Sequence, residues 1–303
     1  MAGSAESKKI LITGASGFIG RATLEALVHD DLSEHIYCIS RSAHKNTSQV
    51  TWLQCDLFDK SQIEKCLEKV QPSVLIHLAW DVTPKKFWEA EENINWLYCS
   101  INLFRAFLKY GGKIFIGAGS IAEYNLSKPI LQGTLPNTLY GSCKFCLRQL
   151  IFQLKAVLKS QIKIIWPQIG WPFGVCEPQE KFFSQIFYKV LNDQDITLVA
   201  RNLALPYLYD EHVGLAIAKC MECPTDAVFP LCALTSTKLE EIIEQIAHTL
   251  NKPYHLKYAT AEMGKLYKLD TDVIPSNIKK YLQADIRLDI DKFLTSVRNH
   301  QNV

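Results

Sequence analysis

The chain has 303 residues, 48% hydrophobic and 21% charged, a balance that excludes a disordered or fibrous chain and allows one large or two smaller cores. Its 33 basic and 31 acidic residues leave a formal charge of +2, which gives no electrostatic reason to expect nucleic acid or an anionic membrane, so small molecules are the expected partners. The polar opening MAGSAESKK, and the lack of any run approaching about eighteen apolar residues, predict a cytoplasmic protein without a signal peptide or membrane span.

From Lys9 to about Trp166, apolar strand-like runs alternate with longer amphipathic stretches, the pattern of a parallel sheet covered by crossover helices. The predicted strands are residues 10–13, 35–40, 50–53, 74–78, 113–116 and 162–166. They predict a doubly wound α/β domain over 1–170, with a return segment at about 201–222. Residues 171–200 and 223–303 mix short strands, prolines and helices, and predict a smaller C-terminal α/β substrate-binding region. Within it, Thr237 and Glu240 have the spacing of a capping box opening the helix that carries Leu239, Ile242, Ile243 and Ile246.

The ten cysteines lie far apart in a chain long enough to need no disulfide staples. Two CxxC pairs, Cys143/Cys146 and Cys220/Cys223, fall in helical-looking segments without a second pair or a nearby His, so no metal site is expected.

The first strand runs into Gly14, Ala15, Ser16, Gly17, Phe18, Ile19 and Gly20, three glycines at GxxGxxG spacing between a buried strand and a helix. Such a turn brings backbone N–H groups and a helix N-terminus, with its favourable dipole, up to a pyrophosphate, which predicts a Rossmann-type dinucleotide site. The second predicted strand ends in Ser40, Arg41 and Ser42. An acidic residue there would favour NAD(H), whereas Arg41, helped by Arg21, favours NADP(H).

Reduction of a carbonyl needs an acid beside the oxygen, a cation to tune that acid and a second hydrogen bond to hold the oxygen. Tyr140 and Lys144 lie four residues apart on one face of a predicted helix carrying Leu147, Leu150, Ile151, Leu154, Val157 and Leu158. A nearby ammonium is expected to favour the phenolate and bring the tyrosine pKa down from about 10. Tyr124 and Lys128 repeat the spacing, but Pro129 and polar turn residues put that pair in a loop. The strand at 113–116 runs through Gly117, Ala118 and Gly119 to Ser120, at the carboxyl end of the sheet, where Ser120 would hold the oxygen.

Together these residues resemble the extended short-chain dehydrogenase/reductase superfamily and, within it, the NAD-dependent epimerase/dehydratase family, which acts mostly on nucleotide sugars. The resemblance spans nearly the whole chain: the TGASGFIG loop, Cys55-Asp56-Leu57, His77-Leu78-Ala79, the segment with Ser120, and Tyr140 to Lys144. It implies that Asp56, with Leu57 beside it, meets the adenine, that Leu78 and Ala79 line the cofactor channel, and that Lys144 also holds the nicotinamide ribose. It implies a homodimer through helices at about 93–108 and 140–159. Departures narrow the chemistry. The diphosphate-binding Arg-Asp-Phe element is replaced by Leu205-Pro206-Tyr207, leaving Arg201 as the nearest substitute, and Gln168 stands where an arginine is usual. Ile121-Ala122 replaces the Asp-Glu pair of sugar 4,6-dehydratases, which disfavours elimination. Trp80, Trp171 and Phe173 are candidates to wall a substrate pocket or to fill core.

The expected activity is NADPH-dependent reduction of a nucleotide-linked keto-sugar of the 4-keto-6-deoxy type, with Tyr140 as proton donor. A 4-epimerase using retained NAD, and a non-catalytic cofactor-binding sensor or scaffold, remain as alternatives.

Overall fold

The structure, a computed structural model, describes residues 8–29, 35–84, 86–128, 131–175, 177–264, 267–283 and 285–301, the side chains of 298–301 excepted. The first seven residues, Pro129 and Cys176 lie outside the described residues. In chain order the elements begin β1 (Lys9–Thr13), α1 (Phe18–His29), β2 (His35–Ser40), β3 (Val50–Gln54), α2 (Lys60–Val70), β4 (Val74–His77) and α3 (Glu92–Lys109). There follow β5 (Ile114–Gly117), β6 (Gly119–Ser120), α4 (Leu139–Val157), β7 (Lys163–Ile169), β8 (Trp171–Phe173), α5 (Phe182–Leu191) and β9 (Ile196–Leu198). The chain closes with β10 (Ala204–Leu205), β11 (Tyr207–Tyr209), α6 (Asp210–Lys219), β12 (Ala227–Leu231), β13 (Thr237–Lys238), α7 (Leu239–Leu250), β14 (Leu256–Tyr258), α8 (Ser276–Lys279) and α9 (Ile286–Gln301).

Strands β1 and β4 are nearly unbroken apolar runs because both faces of the sheet are covered. The eight strands of this sheet are parallel and ordered β12-β7-β5-β4-β1-β2-β3, with β6 against the end of β7. Alternation along β1 sends Ile10 and Ile12 to one core, with Ala26, Leu27, Val213 and Ile217 of α1 and α6. It sends Leu11 to the other, with Leu67, Leu103, Phe107, Phe115, Leu147 and Ile151 beneath α2, α3 and α4. The chain leaves β1 toward β2 on one side and returns as β4 on the other, which opens a crevice at the carboxyl ends of those strands. A third core, with Phe173, Phe183, Ile186, Phe187, Ile242, Ile246 and Phe293, unites α5, α7 and α9 over short paired strands.

The second region differs from its predicted outline in two ways, and one open alternative, at Phe173, is decided. Residues 223–303 do not all belong to it: β12 is the outermost strand of the main sheet beside β7, and Ile274, Ile278 and Leu282 pack into the α1/α6 core. Pro230 obscures β12 in sequence, because a residue without an N–H is tolerated in a sheet only where no partner needs that donor, as at an edge. The capping box at Thr237 does not form. Thr237 pairs with Leu205 across β10 and β13, and Glu240 turns instead to accept from the Asn202 N–H at 2.8 Å, so α7 starts after Lys238 without a side-chain cap. Phe173 is wholly buried and stacks on Phe183 at 4.1 Å, which makes it core. Among the described residues no helix is long and apolar enough to cross a membrane, the cysteines are all free, and no cluster of metal-ligating side chains occurs.

Candidate active site

The chain leaves β1 through Gly14, whose φ of +75° is costly for any residue with a side chain, and where a Cβ would stand 2.7 Å from the Ala79 N. The Gly17 N–H donates to the Gly14 carbonyl at 3.0 Å, closing the turn that presents the α1 N-terminus at the head of β1. Arg21 Nε–H donates to the Ser16 carbonyl at 3.0 Å and braces the loop. A cavity of about 1850 Å³ begins here, lined by Gly14, Ser16, Gly17, Phe18, Ile19 and Gly20, and continues past Arg41, Asp56, Leu57, Leu78 and Ala79 to Ser120, Tyr140 and Lys144. Asp56 Oδ1 accepts from the Phe58 N–H at 3.0 Å, which orients the carboxylate at the end of β3. An unbroken cleft from a helix N-terminus to a tyrosine and a lysine fits a nicotinamide dinucleotide lying across the strand ends.

Thr138 caps α4 by accepting the Gly141 N–H at 3.0 Å, so Tyr140 sits in the first turn, its own N–H donating to the Trp88 carbonyl at 2.9 Å. Gly141 lets α4 approach the turn after β6, since a Cβ there would fall 2.0 Å from the Ala122 carbonyl oxygen. Ser120 leaves β6 extended and accepts the Ala122 N–H at 3.2 Å, and both Ser120 and the Tyr140 ring line the cavity at the start of α4. Lys144 Nζ donates to the Ala118 carbonyl at 2.9 Å and lies 3.9 Å from the centre of the Trp80 ring.

This geometry reverses one expectation about charge. Burial pushes the Tyr140 phenol up to about 12, with the Ser120 hydroxyl pulling the other way, and burial pushes Lys144 down to about 7. Lys144 does not acidify the tyrosine because its ammonium is turned to the Ala118 carbonyl and the Trp80 face, 6.0 Å from the Tyr140 ring centre. A tyrosine that keeps its proton is in the form a reductase needs. Below it, His77 shares hydrogen bonds with Thr13 Oγ1 at 2.7 Å and Ser100 Oγ at 2.8 Å, and burial pushes it down to about 3, so it is neutral. The rival pair stands outside the cleft: Tyr124 follows the turn after Ser120 and its hydroxyl donates to Gln168 Oε1 at 2.9 Å, while Lys128 is solvent-exposed.

Beyond Tyr140 the cavity turns aromatic. Trp80, Phe87 and Trp88 stand edge-on to the Tyr140 ring at 6.2, 4.9 and 5.9 Å, and Trp171, Phe182 and Tyr207 face them across the opening. Trp80 is held by its indole N–H on Asn93 Oδ1 at 2.8 Å, and the Asn93 amide in turn holds the carbonyls of Phe87 and Ala90. Glu177 and Lys181 line the cavity on the glycine-loop side, where Glu177 also shares a smaller cavity with Ser16 and Phe18. Burial pushes Glu177 up to about 7 and pushes Lys181 down, and Lys181 Nζ lies 4.6 Å over the Phe18 ring. Arg201 is elsewhere, exposed and stacked 4.1 Å from the centre of the Tyr258 ring, outside the cavity lining. Phe87, Trp88, Asn93, Glu177 and Lys181 escaped the sequence reading; the adjacent rings of Phe87 and Trp88 ahead of a helix were the one visible signal.

A parallel sheet whose switch-point crevice joins a glycine turn to a serine, a tyrosine and a lysine defines an oxidoreductase-type enzyme of the extended short-chain dehydrogenase/reductase type. The chain belongs to the NAD dependent epimerase/dehydratase family, whose profile matches residues 10–228. It is 24% identical over 261 residues to dTDP-6-deoxy-L-talose 4-dehydrogenase (NAD(+)) of Aggregatibacter actinomycetemcomitans, spanning 82% of this chain and 93% of that one. Two solved structures share the fold at low identity. UDP-N-acetylglucosamine 4-epimerase from Bacillus cereus superposes with a TM-score of 0.80 at 18% identity, over 98% of this chain and 99% of that one. dTDP-glucose 4,6-dehydratase from Bacillus anthracis, in complex with NAD, superposes at 0.79 and 15% identity, over 98% of each chain.

Proposed function

We propose that this protein is an NADPH-dependent reductase of a nucleotide-linked keto-sugar, of the 4-keto-6-deoxy type. The observation that carries the reading is a buried Tyr140 that lines, with Ser120 and Lys144, the point where the dinucleotide cleft meets an aromatic lobe. Bound NADPH would supply the hydride. Tyr140 gives its phenolic proton to the carbonyl oxygen as charge builds there, Ser120 donates a second hydrogen bond to that oxygen, and Lys144 holds the nicotinamide ribose. Trp171 offers a face on which the C–H side of a sugar ring can pack, while Trp80, its ring against Lys144 and Trp96, walls the pocket beside Tyr140. Gly14, Ser16, Gly17, Phe18, Ile19 and Gly20 take the pyrophosphate, Asp56 and Leu57 the adenine, Leu78 and Ala79 the channel between, and Arg41 the adenosine 2′-phosphate.

Ile121-Ala122 supports reduction over elimination, since neither side chain can move a proton at a neighbouring carbon. The similarity to a 4-dehydrogenase of a 6-deoxy sugar nucleotide supports the same couple of alcohol and ketone. Incubation with NADPH and 4-keto-6-deoxy sugars linked to UDP, dTDP, GDP and CDP is expected to oxidise the cofactor with at least one of them; no oxidation across the series would overturn the reading. The likeness to a 4-epimerase keeps one rival. Such an enzyme would purify with bound cofactor and interconvert its sugars without added reductant.

A further inference from the structure

Glu123 is fully buried in the turn after Ser120, and nothing in the proton transfer from Tyr140 uses it. A carboxylate leaves water only for strong partners. Here Oε1 accepts the Ser120 N–H at 2.9 Å and the Trp166 indole N–H at 2.8 Å, while Oε2 accepts Arg148 Nε–H at 2.6 Å and the Gln168 amide at 3.2 Å. One side chain thus ties the Ser120 turn to β7, through Trp166 and Gln168, and to α4, through Arg148. Arg148 lies one helical turn beyond Lys144. Gly119 makes room for the clamp, since a Cβ there would fall 2.3 Å from the Trp166 indole nitrogen and 2.7 Å from Glu123 Oε1. The reciprocal bonds of Ser120 and Glu123 form a capping box that fixes the direction of the Ser120 hydroxyl.

We propose that Glu123 is a positioning residue of this site: its buried carboxylate clamps the Ser120 turn against β7 and α4, fixes the direction of the Ser120 hydroxyl, and places in the turn a negative charge whose field reaches Lys144. The groups around Lys144 are the Ala118 carbonyl, the Trp80 face, Cys99 of α3, neutral His77 of β4 and Tyr140 of its own helix. Of the influences that oppose the burial of Lys144, Glu123 is the largest, with Cys99 behind it. The role deepens the reductase reading, and the first readout of its test, the charge of Lys144, needs no substrate.

Lysine side chains carrying a 13C label at Cε report the Lys144 midpoint by NMR titration, with Lys144→Met giving the assignment. The wild-type midpoint is expected near pH 7. Glu123→Gln keeps an acceptor for the Ser120 N–H and loses the charge, so the midpoint should fall by about one unit or more. Arg148→Met removes the competing cation, so the midpoint should rise. Glu123→Asp keeps the charge on a shorter arm. It should hold the midpoint within about half a unit, yet lose turnover by about tenfold or more through the misplaced Ser120. An unmoved midpoint in folded Glu123→Gln overturns the proposal; should that variant fail to fold, an unmoved midpoint in Arg148→Met does so. A shifted midpoint in a protein that reduces none of the keto-sugars sinks the substrate reading alone. Turnover with an unmoved midpoint sinks the positioning role alone.

Discussion

At the dinucleotide end of the cleft, the lining comes from the ends of parallel strands: Gly14 after β1, Arg41 after β2, Asp56 after β3, Ala79 after β4 and Ser120 at β6. The opposite end is assembled from loops and the third core, with Trp88 ahead of α3, Trp171 on β8 and Tyr207 on β11. Strand ends share one register and have little freedom to move separately, so the reacting groups are fixed by the sheet. Loops vary without disturbing that register, so substrate preference resides where the fold constrains sequence least. Tyr140 stands at the junction, rooted on α4 and ringed by Trp80, Phe87 and Trp88.

Breaking the junction should have the largest effect. Tyr140→Phe keeps the ring among its aromatic neighbours and removes the proton donor. It is expected to lower kcat by about 10²- to 10⁴-fold and to leave dinucleotide affinity within about twofold, as read by single-turnover kinetics and fluorescence titration. A loss below about tenfold would place the acid elsewhere.

Stability against pH separates the sheet from the second region next. His77, under the dinucleotide end, is held down at about 3 from an ordinary 6.5, so its contribution is complete above pH 6.5 and is lost as pH falls toward 3. Glu177, ahead of α5, is held up at about 7 from an ordinary 4.5, so the native state binds its proton more tightly than the unfolded chain. Its contribution is complete below pH 4.5 and is lost as pH rises to 7. Urea unfolding across pH 4 to 8 should therefore show Glu177→Gln flattening the loss on the rising side and His77→Gln flattening it on the falling side. Both arms are expected to be a few kcal/mol at most. Slopes unchanged in both variants would mean that neither group titrates from a buried state.

Smaller again is the effect at the adenosine end. Arg41 is exposed, with its carbonyl held by the Gln54 amide at 3.0 Å, and its guanidinium is the group proposed to take a 2′-phosphate. Arg41→Ala is expected to weaken NADPH binding by about tenfold, the size of one charge-assisted hydrogen bond, with NADH unchanged. Equal losses for both cofactors, or tighter NADH binding by the wild type, would return the protein to NAD.

The sheet and glycine turn were legible because each rests on local chemistry: apolar runs that must be buried on both faces, and a turn at Gly14 that a side chain would clash with. Tyr140 and Lys144 were separable from Tyr124 and Lys128 because one pair opens an amphipathic helix and the other follows a turn. What stayed hidden depends on partners distant in sequence. Glu240 reads as a capping residue until Asn202, on another segment, takes its carboxylate. Pro230 argues against a strand until β12 proves to be the outer edge of the sheet. Glu123 is one acidic residue among 31 until Trp166, Gln168 and Arg148 converge on it. The expected Tyr140–Lys144 coupling failed for the same reason: spacing fixed their shared helix face, while the lysine's direction was fixed by a carbonyl 26 residues away.

The smallest expected effect tests the aromatic end by a residue that sequence placed there and the structure does not. Arg201 was the nearest cation to replace the missing diphosphate arginine, yet its guanidinium covers Tyr258, and its backbone pairs with Met263 beside β9 and β14. A cation over an exposed ring contributes about 0.5–1 kcal/mol, so Arg201→Ala should lower stability by no more than that in urea. With no contact to the cleft, kcat and KM should stay within about twofold, whereas loss of a diphosphate contact would raise KM by about tenfold or more. Such a rise would mean that the β9/β14 segment swings toward the opening when substrate binds. An unchanged KM would direct the search for the phosphate contacts to Lys86, which lines the cavity beside Phe87.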